Sequence, residues 1–567
     1  MTESVYHGLN VERHQIRLLE LAPGKPQDPI NVRLSITSLD ITPPPVYEAI
    51  SYEWGSPNVT ENINVSSVDF RITTNLKAAL TRFRLPDRTR MLWADAICID
   101  QQNTSERSSQ VQIMGRVYSE CERVLVYLSA EEPGDKEAFD FIKSPGKTKN
   151  AFKNCQRSWW RSKFTCETVF KIFGRLAAKT WWLRSWTAQE IILAPQATLY
   201  CGKLEAEWEK FVEAAELIKN ATFSGIWCQT CLGNVSTFID LVWPIRVNCH
   251  VPLLDRKDIL QIVVLNRARL STDPRDKLFA FLGVAHPSHS IASDYSARVE
   301  EVYLNFAWTS FTRLGTLQAL GSVISNQQSE FRLPSWVPNW TEYLFSSIRM
   351  RESVNFFAYN MYNACLDKTF DGSLDLSSPS PSLLLSGIKV GEVVQVSENC
   401  EFMSSSAIKY DFTTWRTVAD VDVEPLRSYV SGLCCVRNAF WRTVMMDITT
   451  IPGVDSGKTL QRPIPAECEA PFWKYLEMSE STVVSLVRKK KGGNPFQAGI
   501  TSTHIGVRIW AEGRRFGVLK DGLFVNGPPG TEVSDEVWIA KGGKMPLVLR
   551  RTEALGQETG TTIAHVP

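Results

Sequence analysis

Polar and aromatic side chains that could bind a ligand are concentrated in three segments of the first third of the chain. These segments are Tyr47–Pro57 (YEAISYEWGSP), Leu92–Ser129 and Trp181–Ala194 (WWLRSWTAQEIILA). Each segment pairs a strand-like apolar run with polar or aromatic residues at the point where a strand or a helix should end. Because open α/β sheets bind their ligands at such ends, we expect functional residues here.

Carboxylate, guanidinium and indole groups in these segments suit different parts of a ligand. Asp95 and Asp100 lie at or near the end of a predicted central strand, where ligands of open sheets bind. Arg107 stands at the beginning of a predicted helix, where its charge and the backbone amides could together bind a phosphate. Trp54 could stack on a base or another ring.

The same residues also have purely structural interpretations. Asp95 and Asp100 fit turn or cap positions, because an aspartate side chain readily bonds to nearby backbone. Trp54 belongs to a residue type that more often packs in the core than binds a ligand. Arg107 could form a solvated salt bridge with Glu106, which would contribute little to stability. The sequence leaves both interpretations open.

The elements that must position these residues alternate between strand and helix patterns. Tyr47–Tyr52, Met91–Ile99 and Val124–Leu128 have the apolar or alternating patterns of strands. Thr74–Leu85 and Ser105–Cys121 have apolar residues at helical spacing. This alternation predicts an α/β fold in the N-terminal part, with a parallel sheet flanked by helices.

Later parts of the chain have different patterns. A helical region extends to the connector Leu333–Trp340 (LPSWVPNW), whose prolines exclude helix. Phe516–Arg550 has the pattern of four short strands, typical of a small β-barrel or meander. We therefore predict an α/β domain over residues 1–200, its helical extension over 201–340, and an α+β region over 341–567 that ends in a β-barrel-like module.

Composition narrows the class of protein. The 567 residues exceed what one core needs, and a hydrophobic content of 44% with 22% charged residues is that of an ordinary globular protein. The 62 basic and 61 acidic residues give no overall attraction to nucleic acid or to an anionic membrane. The N-terminus lacks the apolar core of a secretory signal, and no apolar run approaches the ~18 residues of a membrane helix. We therefore expect a cytoplasmic protein.

Two further motifs resemble a zinc site and a phosphate-binding loop, but their residue patterns fit these sites poorly. Cys228, Cys231, Cys249 and His250 include four zinc-ligand types, but the adjacent last two favour structural thiols. Pro452–Thr459 (PGVDSGKT) nearly copies a phosphate loop, yet proline stands where that loop has its first glycine. We therefore expect no metal site and no bound cofactor.

Taken together, the three segments resemble the fungal heterokaryon-incompatibility (HET) domain. Later segments such as DPRDKLFAFLGVA, DYSARVEEVY and LPSWVPNW also resemble features of that family, so the resemblance covers nearly the whole chain. Glu53 departs from the family pattern, which often has an apolar residue there, and Asp447–Arg462 has no counterpart. The matching motif residues are Tyr47, Ala49, Ser51, Tyr52, Trp54 and Gly55; Leu92, Trp93, Asp95, Cys98, Ile99, Asp100, Gln101, Glu106, Arg107, Gln110, Val111, Met114, Val117 and Tyr118; and Arg184, Trp186, Gln189 and Glu190.

HET domains in turn resemble the Toll/interleukin-1 receptor (TIR) fold, and this sequence is similar to TIR domains in two places. Ser51–Gly55 is similar to the polar loop that follows the first TIR strand. Trp186 stands four residues before Glu190, as a tryptophan does before the glutamate of catalytic TIR domains. The resemblance implies a TIR-like sheet and implies that Glu190 cleaves the N-glycosidic bond of NAD. The substrate-binding residues would then be Ser51, Trp54, Gly55, Asp95, Asp100, Arg107 and Trp186.

The chemistry that this resemblance implies needs a carboxylate beside the ribose. Breaking the nicotinamide–ribose bond builds positive charge on the sugar, and a carboxylate can stabilise it or hold a ribose hydroxyl. NAD would be a substrate rather than a resident cofactor. In the alternative interpretation Glu190 only caps its helix or pairs with Arg184, and Trp186 is a core residue.

The resemblance implies an effector of fungal non-self recognition that triggers programmed cell death when it senses a protein partner or an allelic counterpart. Because TIR enzymes complete their sites by self-association, self-association is expected as well. One alternative is a non-catalytic adaptor or regulator; another is a HET-like protein recruited to a biosynthetic gene cluster. Enzyme and adaptor differ in one feature: an enzyme needs Glu190 beside Ser51, Asp95 and Asp100 at the carboxyl edge of the sheet.

Overall fold

Two compact units make up the chain, Met1–Val302 and Tyr303–Pro567. The predicted three-way division at residues 200 and 340 stays a prediction. The computed structural model describes residues 5–56, 58–144, 174–176, 178–223, 242, 245, 249, 251–252, 255–289, 291–323, 330–342, 356, 358–377, 381–401, 409–430, 432, 434–450, 460–483 and 495–551.

A nine-stranded sheet forms the centre of the first unit, in the order β5-β4-β2-β1-β6-β3-β7-β8-β9. Its strands are β1 (Gln15–Leu21), β2 (Asn31–Ser38), β3 (Glu48–Tyr52), β4 (Thr60–Val65), β5 (Val68–Thr73), β6 (Arg90–Trp93), β7 (Val124–Ser129), β8 (Ala197–Cys201) and β9 (Leu204–Glu207).

The predicted α/β class is confirmed, but the sheet is mixed rather than wholly parallel. Strands β6, β3, β7 and β8 run parallel and form its middle. Strand β1 is antiparallel to β2 and to β6, and β9 is antiparallel to β8. The connections β1–β2 and β8–β9 are too short for the crossover that parallel neighbours need, so these pairs are hairpins.

Helices connect the strands of the first unit. The helix α3 begins one residue earlier than expected, because the side chain of Asn103 accepts a hydrogen bond from the Glu106 amide at 3.1 Å and caps it. Its predicted apolar face is buried and includes Val111, Met114 and Val117. The helices are α1 (Thr74–Phe83), α2 (Asp95–Cys98), α3 (Thr104–Glu120), α4 (Asp135–Lys143), α5 (Ser185–Ile192), α6 (Trp208–Phe223), α7 (Ile259–Asn266) and α8 (Asp276–Phe279); α9 (Val299–Leu314) begins at the end of this unit and lies mostly in the second.

The second unit contains the predicted C-terminal β module. The four strands expected within Phe516–Arg550 are present, and a long earlier strand, β12, lies between them. The five-stranded sheet is antiparallel in the order β16-β15-β12-β17-β18. The strands are β10 (Ser373–Asp375), β11 (Ser382–Leu384), β12 (Gly387–Asn399), β13 (Thr449–Thr450), β14 (Leu460–Gln461), β15 (Arg515–Leu519), β16 (Phe524–Gly527), β17 (Glu536–Ala540) and β18 (Leu547–Leu549).

Helices and aromatic side chains build the core beside this sheet. Trp415, Phe440, Trp441 and Phe472 pack with Phe516 of β15 in one buried cluster. Among the described helices, none is long and apolar enough to cross a membrane. The helices of the second unit are α10 (Thr413–Val418), α11 (Val436–Val444), α12 (Glu469–Glu477) and α13 (Pro495–Trp510).

Candidate functional site

The carboxyl ends of β3 and β6 lie side by side in the middle of the first unit's sheet. The two strands run parallel with Ala49 opposite Trp93. Ser51 and Asp95 each follow two residues later. Parallel strands present their carboxyl ends at one edge of a sheet, where ligands of α/β proteins bind. The first and second sequence segments therefore meet at this edge.

Ser51 is fully buried at the end of β3. Its hydroxyl accepts a hydrogen bond from the Trp181 indole at 2.9 Å, which ties β3 to the segment that leads into α5. The same hydroxyl lies close enough to the Glu190 carboxyl to lower its pKa by hydrogen bonding. The first and third segments thus also meet here.

Asp95 begins α2 directly after β6 and lies against the loop that follows β3. Its Oδ2 accepts a hydrogen bond from the Trp54 indole at 2.8 Å, and its Oδ1 accepts one from the Ala96 amide at 2.8 Å. Burial raises the pKa of Asp95, while the Trp54 indole and the charge of Arg184 act in the opposite direction. The Trp54 indole therefore acts in the structure as a hydrogen-bond donor to the Asp95 carboxylate.

Glu190 lies on α5 with only 3% of its surface exposed. Burial first, and then the negative charge of Asp95, raise the pKa of its carboxyl to about 8, against opposing effects of Ser51, Arg184 and Tyr118. At neutral pH most of this carboxyl is therefore protonated. Its Oε2 has no hydrogen-bond partner within the described part of the chain. Such an unsatisfied buried atom is costly and needs an explanation.

Gly55 shapes the loop that carries Trp54. Its φ of +73° lies in the left-handed region, and a Cβ here would stand 2.9 Å from Asn75 Nδ2. The Asn75 amide in turn donates to the Glu53 carbonyl at 3.1 Å. Only glycine fits this conformation without strain, so the role of Gly55 that the structure supports is to set the path of the loop.

Asp100 does not join this group. Its Oδ1 accepts a hydrogen bond from the Gln102 amide at 3.1 Å, and its own amide donates to Glu106 Oε1 at 2.7 Å. These contacts are those of a turn before α3 and match the structural interpretation raised by the sequence. A ligand role for Asp100 stays a prediction.

Arg107 and Trp186 belong to a second cluster, which they form with the DPRD and DY segments further along the chain. The Arg107 guanidinium lies 3.9 Å from the ring centroid of Tyr295 and 3.9 Å from Asp273 Oδ2. Burial raises the pKa of Asp276 to about 6, and hydrogen bonds from Tyr295 and from the Trp186 indole act against that rise. The salt bridge of Arg107 with its neighbour Glu106, which was the structural alternative, is not formed; Glu106 pairs with Arg17 instead.

Sequence reasoning missed several members of both groups. Tyr118 was named only as a residue of the HET motif, although its ring lies near Glu190 and Asp95. Tyr52 directly follows Ser51 at the end of the first predicted strand, and this position could have marked it as a candidate. The missed residues are Tyr52, Tyr118 and Trp181 at the first site, and Asp273, Asp276 and Tyr295 in the second cluster. Arg184, named from the sequence as a partner of Glu190, does lie near it.

Metal candidates do not add to this site. Within the described residues, His, Cys, Asp and Glu side chains form no group of three or more that could hold a metal ion. Cys228, Cys231, His250 and residues 452–459, which were singled out by their motifs, lie outside the described residues.

Comparison with known proteins places the first site within a family. Residues 47–190 match the family model described as "Heterokaryon incompatibility protein (HET)". This chain carries a HET domain. "Heterokaryon incompatibility protein 6, OR allele" of Neurospora crassa is 23% identical over 637 aligned positions, which cover 96% of this chain and 92% of that protein.

The HET domain contains every candidate residue of the first site. Its matched range begins at Tyr47 and ends at Glu190, whereas Asp273, Asp276 and Tyr295 of the second cluster lie beyond it. The resemblance to heterokaryon-incompatibility proteins that was predicted from the motifs is confirmed. No solved structure matches the chain, so the likeness to TIR domains stays a prediction.

Proposed function

We propose that this protein is an effector of fungal non-self recognition whose HET domain triggers programmed cell death by cleaving the N-glycosidic bond of NAD. The recognition role is supported by the HET domain and by the similarity to a heterokaryon-incompatibility protein. The trigger would be a protein partner or an allelic counterpart. One observation carries the catalytic part of the proposal, namely the buried Glu190 carboxyl beside Ser51 and Asp95 at the carboxyl edge of parallel strands.

The proposed reaction breaks the C1′–N bond of the nicotinamide riboside, and the electron pair of that bond leaves with nicotinamide. Water then forms the new C1′–O bond and releases a proton. Glu190 would accept a hydrogen bond from a ribose hydroxyl at its unpaired Oε2 and, once ionised, stabilise positive charge on the ribose. The cationic substrate itself favours the ionised carboxylate, because an opposite charge nearby lowers the pKa of an acid.

Nicotinamide release from NAD by the purified full-length protein tests this activity. The assay is run over a range of protein concentrations, because self-association is expected to complete the site. Glu190→Gln should reduce the rate by at least about a hundredfold, the scale of losing one group that stabilises transition-state charge. Glu120→Gln is the matched control, since Glu120 lies on the surface of α3 in an ion pair with Arg116. Equal rates in the Glu190→Gln variant and the parent protein would refute the catalytic proposal.

A non-catalytic adaptor is the second candidate, and the deep burial of Glu190 favours it. A side chain exposed by only 3% must gain access to a substrate before it can act. Expression of the chain in a fungal host separates the two candidates. Growth arrest by the parent protein that disappears with Glu190→Gln supports the enzyme, whereas arrest that persists with Glu190→Gln supports the adaptor.

A further inference from the structure

A cavity of about 570 Å³ opens in the second unit, outside the residues that match the HET domain. Its volume lies in the range of ligand-binding pockets. Strands β12, β15 and β16 form one side, and residues 417–420, 427–430 and 436 form the other. We call its apolar lining residues Val418, Ala419, Val436 and Val518 the floor.

An aromatic pair gives this cavity a rigid wall. The rings of Tyr429 and Phe524 lie 4.8 Å apart between centroids at an angle of 45°. The Tyr429 hydroxyl accepts a hydrogen bond from the Phe524 amide at 2.6 Å, which fixes the orientation of its ring. Faces of aromatic rings attract cations through their quadrupole, most strongly where water is excluded.

Asp420 and Arg427 line the cavity, and Glu424 lies beside Arg427 outside the lining. Arg427 is shared between Asp420 Oδ2 at 3.5 Å and Glu424 Oε2 at 3.6 Å. Both distances exceed those of good charge-assisted hydrogen bonds, about 2.7–2.9 Å. One guanidinium therefore faces two carboxylates that retain free acceptor capacity. A second cation is favoured here, whereas an added anion would meet two like charges.

Exposed apolar side chains lie on the segment that carries Asp420 and Arg427. Val423 is 74% exposed, Leu426 is 80% exposed, and Val430 lines the cavity itself. Large apolar residues exposed this closely together are typical of surfaces that bind other proteins. Val430 belongs to the cavity lining itself, and the segment offers further apolar surface to a ligand larger than the cavity.

We propose that this cavity binds a lysine or arginine side chain of a partner protein, presented between apolar residues. The apolar stem of that side chain would pack on the floor, as such stems do beside apolar surface. Its cationic end would lie between the aromatic wall and the carboxylates of Asp420 and Glu424. The flanking apolar residues of the partner would contact Val423 and Leu426. The proposal is independent of NAD cleavage, because no residue of the HET domain takes part.

Fluorescence anisotropy of the full-length protein with a labelled peptide, acetyl-Ala-Leu-Lys-Leu-Ala-amide, tests the proposal. Peptides with norleucine or glutamate in place of the lysine should bind at least about threefold more weakly, since a cation–π contact at a partly exposed site is worth about that factor. Asp420→Asn and Glu424→Gln should each weaken binding of the lysine peptide. The peptide should leave the rate of nicotinamide release unchanged.

Asp422→Asn is the matched control, because it removes the same charge from the same segment but its carboxylate pairs with Arg416 at 2.6 Å. This variant should bind the lysine peptide as the parent protein does. Equal binding of the lysine and norleucine peptides, no binding of either, or equal losses in Asp420→Asn and Asp422→Asn would each overturn the assignment. Butylamine that binds as tightly as the peptide would overturn the assignment to a protein partner.

Discussion

At the scale of single residues, burial rather than pairing decides the behaviour of Glu190. The folded state binds its proton more tightly than the unfolded chain does, because the pKa is raised to about 8. The stability that this proton contributes is complete below the unfolded pKa of about 4.3 and is lost as the pH rises through 8. A carboxyl that weakens the fold at neutral pH is the kind of cost that functional sites bear.

Glu190→Gln should therefore stabilise the protein more as the pH rises. The amide cannot ionise, so the variant does not lose the stability that the parent protein loses as the pH rises. We expect little difference in the free energy of unfolding near pH 5 and a gain of at least about 2 kcal/mol near pH 9. Urea unfolding at both pH values, with Glu120→Gln as the surface control, measures it. A constant difference across this range would contradict the raised pKa.

The sequence placed Ser51 and Asp95 near strand ends, which share an edge when the strands are parallel. It left open whether Glu190 lies beside them, because Glu190 is on a helix whose packing has no local signal. Asp100 could not be separated from Asp95 at that stage, since one residue type serves both turns and ligands. Arg107 and Trp186 bind residues that follow them by about 190 and 90 positions, and such distant contacts leave no local pattern in a sequence.

At the scale of elements, a buried ion pair ties β1 to α3. Arg17 is 1% exposed, and its guanidinium donates to both carboxylate oxygens of Glu106 and, at 3.1 Å, to the Cys98 carbonyl. Removing one partner of such a pair leaves a buried charge without compensation. Glu106→Gln should therefore lower the free energy of unfolding by about 3–5 kcal/mol.

The exposed pair of Arg33 with Glu20 is the control for this prediction. Arg33 Nε lies 2.8 Å from Glu20 Oε2, yet the Arg33 side chain is largely open to solvent. Glu20→Gln should cost less than about 1 kcal/mol, as surface pairs do. Chemical denaturation of both variants gives the comparison, and similar costs would show that burial of Arg17 does not govern the effect.

The close approach of two backbones fixes α3 against the segment after α8. A Cβ on Gly115 would stand 2.8 Å from the Cα of Gly283, whose amide donates to Gln189 Oε1 at 2.9 Å. Gly→Ala in a helix interior normally stabilises by about 1 kcal/mol, but overpacking costs about 1–3 kcal/mol. Gly115→Ala should therefore lower the melting temperature, and a rise would show that the two backbones can separate.

At the scale of the whole molecule, the helix and strand patterns predicted the parallel middle of the first sheet, because crossover helices alternate with its strands. They did not predict that β1 lies between β2 and β6, or that β12 lies between β15 and β17. Strand order depends on pairings between distant segments, which no local pattern encodes. The sequence pattern predicted the four C-terminal strands of the second unit, but it did not predict that β12 belongs to the same sheet.

The extent of the folding unit around the HET domain follows from the second cluster. Residues 47–190 lack β1, which pairs with β6, and lack Asp273, Asp276 and Tyr295, which contact Arg107 and Trp186. A fragment of residues 1–200 would also lose the Gly283 amide that donates to Gln189. Heat denaturation followed by circular dichroism should show a cooperative transition for residues 1–298 and none for residues 1–200. A sharp transition in the shorter fragment would contradict this prediction, because it would show that the HET domain folds without residues 270–298.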